Sequence, residues 1–358
     1  MPQIGEEEKR AVMDVLGSGQ LAQGPVVEHF EREFAAWCGA KHAVAVNSGT
    51  AALHLLMLAY GLGEGDELIT SPFTFVASAN AALFVGARPV FVDIEPETYC
   101  LDARRVEAAI TPRTRAIMPV DLYGHPAALP ELREIADRHG LVLIEDACQA
   151  HGGAIGPRKA GGLGVSATFS FYPTKNMTTA EGGMVTTDDP PIAEKVGVLR
   201  QHGAAHRYHH DLLGYNFRMT EIAAAIGRAQ LGKVDRMNER RRRNASVLDE
   251  GLAGISGVVT PRERPGYRHA YHQYTVLIQG ERDVFQQRLS DLGIGTAVHY
   301  AVPVHRQPLY IGLGYGEVSM PVAEHAADHV LSLPVHPGLS DDDLDRIVEA
   351  VRKVATTT

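Results

Sequence analysis

The chain has 358 residues, of which 45% are hydrophobic and 22% charged, and its formal net charge is -9 at pH 7. This length accommodates about two domains with substantial cores, and the acidic balance without a long basic tract argues against a nucleic-acid partner. The N-terminus lacks the basic and apolar regions of a signal peptide, and no apolar run reaches roughly 18 residues, so we expect a cytoplasmic protein outside the membrane.

Apolar, strand-like runs alternate with helical stretches through most of the chain before the last third. The predicted strands are 43–46, 67–70, 89–93, 116–120 and 141–146, and the predicted helices are 51–60, 78–84, 104–110 and 129–139. Alternating apolar strands and helices are typical of a mainly parallel sheet with helices on both faces. The sequence therefore predicts an α/β fold for this part.

The pattern changes after residue 175. A strand is predicted at 183–187, followed by two long helices at 220–231 and 234–252. A Gly- and Pro-rich segment at 254–266 then indicates a domain boundary. Strands at 273–279 and 295–299 and helices at 284–292 and 341–354 follow. We predict a large domain over residues 1–250 and a smaller C-terminal α+β domain over residues 251–358.

Three segments with chemically useful residues follow predicted strands, where ligands of open α/β sheets gather. The first, residues 47–50, has the sequence Asn-Ser-Gly-Thr, and its backbone N–H groups could bind a phosphate, although most such junctions are only turns and caps. The second contains Asp146. A strand-end acid is commonly a helix cap, but a buried one needs a cationic partner, such as a protonated pyridine nitrogen. Gln149 follows one turn later and could reach a ring oxygen.

The third segment contains Lys175, preceded by the aromatic sequence Ser-Phe-Tyr-Pro-Thr and followed by Gly182 and Gly183. Most lysines are surface charges, but a desolvated lysine has a lowered pKa and can act as nucleophile and proton carrier. A pyridoxal phosphate (PLP) enzyme requires a lysine that holds the cofactor aldehyde as a Schiff base and a carboxylate that keeps the pyridine nitrogen protonated. Lys175 and Asp146 therefore predict a PLP site.

Four motifs run through the chain in order: NSGTAAL at 47–53, PFTFVA at 72–77, IEDACQAHG at 144–152 and FSFYPTK at 169–175, continuing into EGG at 181–183. Together they resemble the sugar aminotransferase family of fold type I PLP enzymes, the DegT group. The resemblance extends over nearly the whole chain, including 214–219 and 295–308. It implies an aspartate aminotransferase-like α/β fold, in which a large PLP-binding domain has a mainly parallel, seven-stranded sheet flanked by helices.

The resemblance also implies roles for individual residues. Lys175 would be the Schiff-base lysine, Asp146 the partner of the pyridine nitrogen and Gln149 a neighbour of the ring hydroxyl. Phe75 would stack on the ring, although a core aromatic is an equally simple reading of its sequence. The phosphate would be held by Gly49, Thr50 and Ser170, joined by Asn216 of the neighbouring subunit, which implies a homodimer with shared active sites. The residues implied near the substrate are His299, Tyr300 and His305.

The implied reaction is a two-stage transamination with glutamate or glutamine as amino donor. The acceptor would be a keto sugar, namely a 3-keto or 4-keto deoxysugar linked to a nucleotide diphosphate, in amino-sugar biosynthesis. Three alternatives stay open: a keto-cyclitol acceptor, a PLP-dependent dehydratase or lyase, and a regulator without enzymatic activity. Lys175 argues against the family's dehydratases, in which histidine replaces the lysine. The sequence identifies neither the sugar nor the position that receives the amine.

Two positions depart from the common family motifs. Asp121 stands where many members have histidine, and Ala180 stands where many have glycine. Neither belongs to the implied cofactor set, but Asp121 leaves details of the substrate open.

The chain is rich in histidine but gives no prediction of a metal site. His202, His206, His209 and His210 lack a Cys or acidic ligand frame, so we expect a loop that closes over substrate instead. Cys38, Cys100 and Cys148 are too few and too scattered for a disulfide framework, and we expect them in the core.

Overall fold

A computed structural model of the protein describes residues 2–206 and 208–356. The α-helices in this part of the chain are α1 (Glu6–Ser18), α2 (Pro25–Cys38), α3 (Gly49–Ala59), α4 (Ala77–Leu83), α5 (Ala103–Val106), α6 (Leu129–His139), α7 (Pro190–Leu199), α8 (Glu221–Leu252), α9 (Arg282–Asp291), α10 (Pro308–Tyr310), α11 (Pro321–His329) and α12 (Asp341–Ala355). Short 3₁₀ or π turns lie at Glu107–Ala109, Leu122–Gly124, Val304–Arg306 and Ile311–Tyr315. Within the described residues, none of these helices has the length and apolar character needed to cross a membrane.

The strands form one large sheet and several small ones. They are β1 (His42–Val46), β2 (Glu67–Thr70), β3 (Arg88–Phe91), β4 (Thr114–Met118), β5 (Val142–Asp146), β6 (Ala154–Ile155), β7 (Arg158–Lys159), β8 (Ser166–Ser170), β9 (Gly183–Thr187), β10 (Ala204–His206), β11 (His209–His210), β12 (Val258–Val259), β13 (Tyr267–Arg268), β14 (Tyr274–Ile278) and β15 (Val330–Leu333). The large sheet has seven strands in the order β1-β9-β8-β5-β4-β2-β3. Strand β9 is antiparallel to both neighbours, and the other pairs are parallel. The predicted seven-stranded, mainly parallel sheet is confirmed.

Helices cover both faces of this sheet because its strands bury side chains on both sides. In β5, Leu143 packs into the core under α5 and α6, whereas the next residue, Ile144, packs into the core under α3 and α7. In β4, Ile117 and Met118 divide between the same two cores. Successive side chains of a strand point to opposite faces, so an apolar run in a parallel strand needs helices on each side.

Helix α8 runs unbroken from Glu221 to Leu252, where the sequence predicts two separate helices. That prediction is wrong. The predicted gap falls at Gly232, which is exposed and has no atom within 4 Å of the position that a Cβ would occupy. A glycine inside a helix costs only about 1 kcal/mol relative to alanine. Packing of Ala224 and Val234 into one aromatic core holds the helix together on both sides of that position.

A three-stranded sheet, β12-β14-β15, forms the centre of the C-terminal lobe. Helices α9 and α12 cover it through Phe285 and Leu344. The predicted strand at 295–299 is wrong apart from one bridge between Ala297 and Ser332. The chain leaves the sheet after that bridge and turns toward the large domain at His299.

The division into domains at residue 250 stays a prediction, and side-chain packing crosses it in two places. Ala245 and Leu248 of α8, which precede the boundary, belong to the core of the C-terminal lobe. Ala323 and Ala327 of α11 belong instead to a core of the large sheet.

The sequence did not predict every element of the fold. The elements that it missed include helices α1, α2, α7 and α11 and strand β8.

Candidate active site

A cavity of about 520 Å³ lies at the carboxyl ends of β4, β5 and β8, between the large sheet and the C-terminal lobe. This size is typical of a site for a cofactor or small substrate. Its lining is Ser48, Gly49, Thr50, Leu53, Thr74, Phe75, Ala77, Ser78, Val120, Asp146, Cys148, Gln149, Ser170, Tyr172, Thr174, Lys175, Glu181, His272, Gln273, His299 and Tyr300. Seven of the eight cofactor residues expected from the sequence therefore lie around one cavity.

Asp146 ends strand β5 and is buried at the cavity wall. Its Oδ2 accepts a hydrogen bond of 2.7 Å from the hydroxyl of Ser78, and its Oδ1 accepts one of 3.2 Å from the backbone N–H of Cys148. The Ser78 hydroxyl is itself 3.1 Å from that of Thr74. These bonds fix the plane of the carboxylate and leave lone pairs that can accept a further N–H.

Lys175 lies on the loop after β8, opposite Asp146 across the cavity lining. Its backbone N–H donates to the carbonyl of Tyr172 at 2.9 Å, and Thr178 Oγ1 donates to the carbonyl of Phe171 at 2.8 Å, which makes the loop tight. Burial lowers the pKa of the Lys175 amine, while its interactions with Cys148 and Asp146 act in the opposite direction. A lowered pKa increases the fraction of neutral amine near neutral pH, which is the nucleophilic form.

The N-terminus of α3 reaches the cavity beside Ser170. Ser48 caps the helix by accepting the N–H of Ala51 at 3.1 Å. The first N–H groups of a helix have no acceptor within the helix, so those of Gly49 and Thr50 can bind an anion. A Cβ atom on Gly49 would lie 2.8 Å from the Cβ of Ser170, so only glycine permits this close approach.

The amide of Gln149 is oriented by the backbone. Its Oε1 accepts the N–H of Tyr123 at 2.9 Å, which turns its Nε2 toward the hydroxyl of Tyr300 at 3.2 Å. Gln149 therefore presents N–H donors, and not its oxygen, on the side of Tyr300 and the cavity.

Phe75 and His299 complete the mouth of the cavity with Tyr300. The Phe75 ring is 56% exposed and lies 6.2 Å from the Tyr300 ring, so it is free to stack on a ligand ring. The backbone carbonyl of His299 accepts a hydrogen bond from the Tyr123 hydroxyl. Burial and the charge of Lys175 lower the pKa of His299, so its imidazole is neutral near neutral pH.

Two of the expected residues do not line the cavity. His305 is buried beside Phe91, and its Nε2 is 2.8 Å from a carboxylate oxygen of Glu324, so its ring is committed to that pair. Asn216 lies in the segment before α8, where its carbonyl accepts from Asn47 Nδ2 at 3.4 Å. A role for Asn216 at the cavity of another subunit stays a prediction.

Some residues at the cavity were not predicted from the sequence. His272 and Gln273 come from the segment before β14 and meet the cavity only through the packing of the two lobes. Ser78 could have been found, because it follows Thr74 by one helical turn directly after the PFTFVA motif. Burial lowers the pKa of His272 far below its usual range, with the charge of Lys175 adding to the effect.

A second cavity, of about 650 Å³, lies on the other side of Lys175. Thr174, Lys175, His272, Gln273 and His299 line both cavities and form the wall between them. The N-terminal residues and the segment around Pro334 enclose its far side.

The histidines between residues 202 and 210 show no metal-binding arrangement among the described residues. His206, His209 and His210 are exposed on the β10–β11 hairpin. In residues 2–206 and 208–356, no three His, Cys, Asp or Glu side chains cluster in a way that could hold a metal ion.

The model of the DegT/DnrJ/EryC1/StrS aminotransferase family matches residues 2–352. A dTDP-3-amino-3,4,6-trideoxy-alpha-D-glucose transaminase of Streptomyces venezuelae is 44% identical over 354 residues, which cover 99% of this chain and 93% of that protein. A pleiotropic regulatory protein of Geobacillus stearothermophilus is 43% identical over 354 residues, covering 98% and 94% respectively.

Two solved structures are also similar. The crystal structure of DesV from S. venezuelae has a TM-score of 0.96 at 44% identity, covering 98% of this chain and 94% of that one. The structure of NtdA from Bacillus subtilis with bound cofactor PMP (pyridoxamine phosphate) has a TM-score of 0.92 at 31% identity, covering 98% and 82%. The predicted fold and family resemblance are confirmed, and the chain belongs to the PLP-dependent DegT/DnrJ/EryC1/StrS aminotransferase family.

Proposed function

We propose that this chain is a PLP-dependent aminotransferase that moves an amino group from glutamate or glutamine to a keto sugar carried on a nucleotide diphosphate. One observation carries the proposal. A lysine amine with a lowered pKa, a buried carboxylate and the N-terminus of a helix line a single cavity. These three groups correspond to the three functional parts of PLP, which are its aldehyde, its pyridine nitrogen and its phosphate.

The residues present fit the cofactor. The free N–H groups of Gly49 and Thr50 and the Ser170 hydroxyl form a set of donors for a phosphate, and the close approach at Gly49 leaves no room for a larger residue. Asp146 keeps lone pairs available after its two hydrogen bonds, so it can accept a ring N–H. Phe75 offers an exposed ring face for stacking.

When bound, PLP supplies a ring that accepts electrons from the substrate carbon. Asp146 would hold a proton at the ring nitrogen, because its carboxylate is fixed by Ser78 and by the Cys148 N–H. Gln149 would donate an amide N–H to the ring oxygen. The Lys175 amine would bind the aldehyde at rest and, once released, would carry a proton at Nζ between the two reacting carbons.

The sugar substrate is inferred from a relative and from the shape of the site. The S. venezuelae relative is named as a transaminase of a dTDP-linked 3-amino sugar. In this chain, His299 and Tyr300 place a neutral imidazole and a phenol hydroxyl at the cavity mouth, which suits hydrogen bonding to sugar hydroxyls. We place the keto group at position 3 or 4 of a deoxysugar.

A homodimer with shared sites is part of this proposal, as is a location in the cytoplasm. The segment that carries Asn216 also exposes apolar side chains: Leu213 is 85% exposed and Leu212 is 41% exposed. Apolar side chains grouped on one exposed segment are typical of a subunit interface. Asn216 of one protomer would then reach the phosphate site of its partner.

The cofactor part is tested by absorbance. We expect the purified chain mixed with PLP to gain an absorbance band at the edge of the visible spectrum that Lys175→Ala lacks. Lys159→Ala is the matched control, since Lys159 forms an ion pair with Asp235 away from the cavity. A chain that remains colourless with excess PLP contradicts the proposal.

The reaction is tested by loading the chain with pyridoxamine phosphate and adding one ketone at a time. We expect the band to return with a 3-keto or 4-keto nucleotide sugar. A response to keto-cyclitols alone would assign the alternative acceptor, and release of water without amine transfer would assign a dehydratase. Intact PLP binding with no turnover on any ketone would favour a regulator.

A further inference from the structure

Two buried carboxyl groups meet behind the wall of the cavity. Asp121, just after β4, and Glu145, in β5, are both fully buried. Asp121 Oδ1 accepts the N–H of Ala127 at 2.9 Å, and Glu145 Oε2 accepts the N–H of Gly161 at 2.9 Å. The remaining oxygens, Asp121 Oδ2 and Glu145 Oε1, are buried and have no hydrogen-bond donor among the described residues.

The two carboxyl groups lie within hydrogen-bonding reach of each other. Two ionised carboxylates have no hydrogen to share, so this contact requires one proton between them. Burial raises the pKa of both groups. Their mutual contact raises the pKa of Asp121 further and lowers that of Glu145, so the pair retains one proton between its two carboxyl groups.

The surrounding charges favour retention of this proton. Asp146 adds a negative charge beside both groups, whereas the neighbouring thiols of Cys100 and Cys38 are neutral near pH 7 because burial raises their pKa. Arg158 acts on Glu145 in the opposite direction, but neither acid forms an ion pair with a Lys, Arg or His among residues 2–206 and 208–356. A buried acid without a cationic partner is more stable when it is protonated.

This carboxyl pair joins strand β5 to the loop at 121–127, and the loop contacts the cavity residues. The Asp121 N–H donates to the carbonyl of Asp146 at 3.0 Å. The N–H of Tyr123 donates to Gln149 Oε1 and so sets the orientation of the Gln149 amide. Gly124 accepts the N–H of Ala270 at 2.8 Å, which ties the loop to the segment that leads to His272.

We propose that Asp121 is a positioning residue: one proton shared between its carboxyl group and that of Glu145 holds the loop at 121–127 on strand β5, and so fixes Gln149 at the cofactor cavity. The shared proton is a property of the folded chain alone. Its effect on Gln149 rests on the proposed function.

The sign of the pH dependence follows from the proton. A carboxyl group whose pKa is higher in the folded than in the unfolded chain stabilises the fold below its unfolded pKa, and this contribution is lost as pH rises through the folded pKa. The wild-type chain should therefore lose stability on the alkaline side. Above that range two facing carboxylates repel each other, and the loop loses its attachment.

The first experiment compares the thermal unfolding of wild type and Asp121→Asn between pH 6 and 9.5 without cofactor. Asparagine accepts the Ala127 N–H and donates to Glu145 without a titrating proton. We expect similar Tm values at pH 6 and a gap of roughly 2–4 °C in favour of the variant by pH 9, the size of shift that a modest stability change gives in a chain of this length. In Glu145→Gln, the glutamine amide donates a hydrogen bond to Asp121, again without a titrating proton. This variant provides a second Tm comparison if Asp121→Asn folds poorly.

Asp93→Asn is the matched control. Asp93 is also buried and accepts the backbone N–H groups of Ile94, Val322 and Ala323, but it bonds to no second carboxyl group among the described residues. Its effect on Tm should stay constant over the same pH range. Parallel Tm curves for wild type, Asp121→Asn and Glu145→Gln would overturn the shared proton.

The second experiment measures PLP affinity by fluorescence titration at pH 7 and pH 9. We expect the ratio of Kd between wild type and Asp121→Asn to rise by about threefold or more over this range, because proton loss and cofactor binding are linked through Gln149. In a Gln149→Ala background the ratio should not change with pH. A Tm gap without any change in this ratio would overturn the positioning role.

The two proposals fail in distinguishable ways. A wild-type chain that binds no PLP at any pH would overturn the proposed function and, with it, the role of Asp121 toward Gln149. The unfolding experiment uses no cofactor, so it would still decide whether Asp121 and Glu145 share a proton.

Discussion

In the proposed function, Asp146 is the side chain on which the electronic part of the chemistry depends most directly. Hydrogen bonds from Ser78 and the Cys148 N–H fix the orientation of its carboxylate. Lone pairs remain on the carboxylate for one further donor. In Asp146→Ala we expect PLP to bind but kcat to fall at least about 100-fold, the usual size of effect for removing one preorganised electrostatic contact. Steady-state kinetics and a parallel binding titration check this.

Asp102→Ala is the control for that change. Asp102 is also buried, but it caps α5 and pairs with Arg104 away from the cavity. The Asp102→Ala substitution should reduce thermal stability and leave kcat unchanged. Full activity in Asp146→Ala would remove the role assigned to this carboxylate.

Gly49 is the residue on whose small size the proposed phosphate site depends. A Cβ atom there would meet the Cβ of Ser170 at 2.8 Å and the Sγ of Cys148 at 3.2 Å. Since either the helix or Ser170 must move, we expect Gly49→Ala to weaken PLP binding about tenfold or more, which corresponds to about 1.4 kcal/mol. Fluorescence titration measures the Kd.

Gly197→Ala offers a contrast within another helix. Gly197 lies inside α7 with no atom within 4 Å of an added Cβ. The substitution should leave the Kd unchanged and raise stability by roughly 0.5–1 kcal/mol, because alanine has less conformational freedom to lose. Equal Kd values for the two alanine variants would argue against the Gly49 explanation.

At the scale of elements, the N-terminus of α2 is capped by a residue far away in the chain. Glu221, at the start of α8, accepts the backbone N–H groups of Gly24, Val26 and Val27, each at 2.9 Å. Glu221→Ala would leave these three donors, one of them buried and two partly buried, without an acceptor. We expect the free energy of unfolding to fall by about 3 kcal/mol, measured by urea denaturation.

Glu28 supplies the comparison for Glu221, since it lies exposed in the first turn of α2. Its replacement by alanine should change stability by less than about 0.5 kcal/mol. If both variants lose the same stability, the helix dipole and not the specific cap accounts for the effect.

Elements with a strong local pattern could be predicted from the sequence, and those that depend on distant contacts could not. The apolar runs of β2 and β5 and the apolar helix α3 can be identified from the length and composition of their own segments, without tertiary information. The residue that caps the start of helix α2, Glu221, lies about two hundred positions later in the chain. The local sequence therefore does not indicate where α2 begins. The unbroken α8 likewise depends on packing at both of its ends.

The same distinction applies at the site. Asp146, Gln149 and Lys175 belong to short ordered motifs, and the structure brings all three to one cavity. The contact of Tyr123 with Gln149 could not be predicted, because it joins two loops through a single backbone N–H. The contact between Asp121 and Glu145 also depends on how β4 and β5 align.

At the scale of the whole molecule, the proposed homodimer with shared active sites makes a specific prediction about mixed dimers. Lys175→Ala and Asn216→Ala should each be inactive or strongly impaired alone. If Asn216 serves the site of its partner, a mixed dimer contains one site with both defects and one intact site. After refolding an equal mixture, we expect activity to return to about a quarter of wild type, as the statistics of a two-fold dimer require.

Mixing Lys175→Ala with Asp146→Ala is the control for this experiment. Both residues line the same cavity of one chain, so no combination of these subunits yields an intact site. The control mixture should stay inactive. Recovery in neither mixture would place Asn216 outside the partner's site.

Helix α8 also has a consequence for how the molecule comes apart. Its first half packs in the core of the large sheet through Ala224 and Val234, and its second half packs in the core of the C-terminal lobe through Leu248 and Leu252. Unfolding of either lobe would expose the apolar side chains of one half of α8. The other half of the same helix would still be packed in the core of the folded lobe. The two lobes should therefore unfold cooperatively, and calorimetry of the cofactor-free chain should give one heat-absorption peak in place of two.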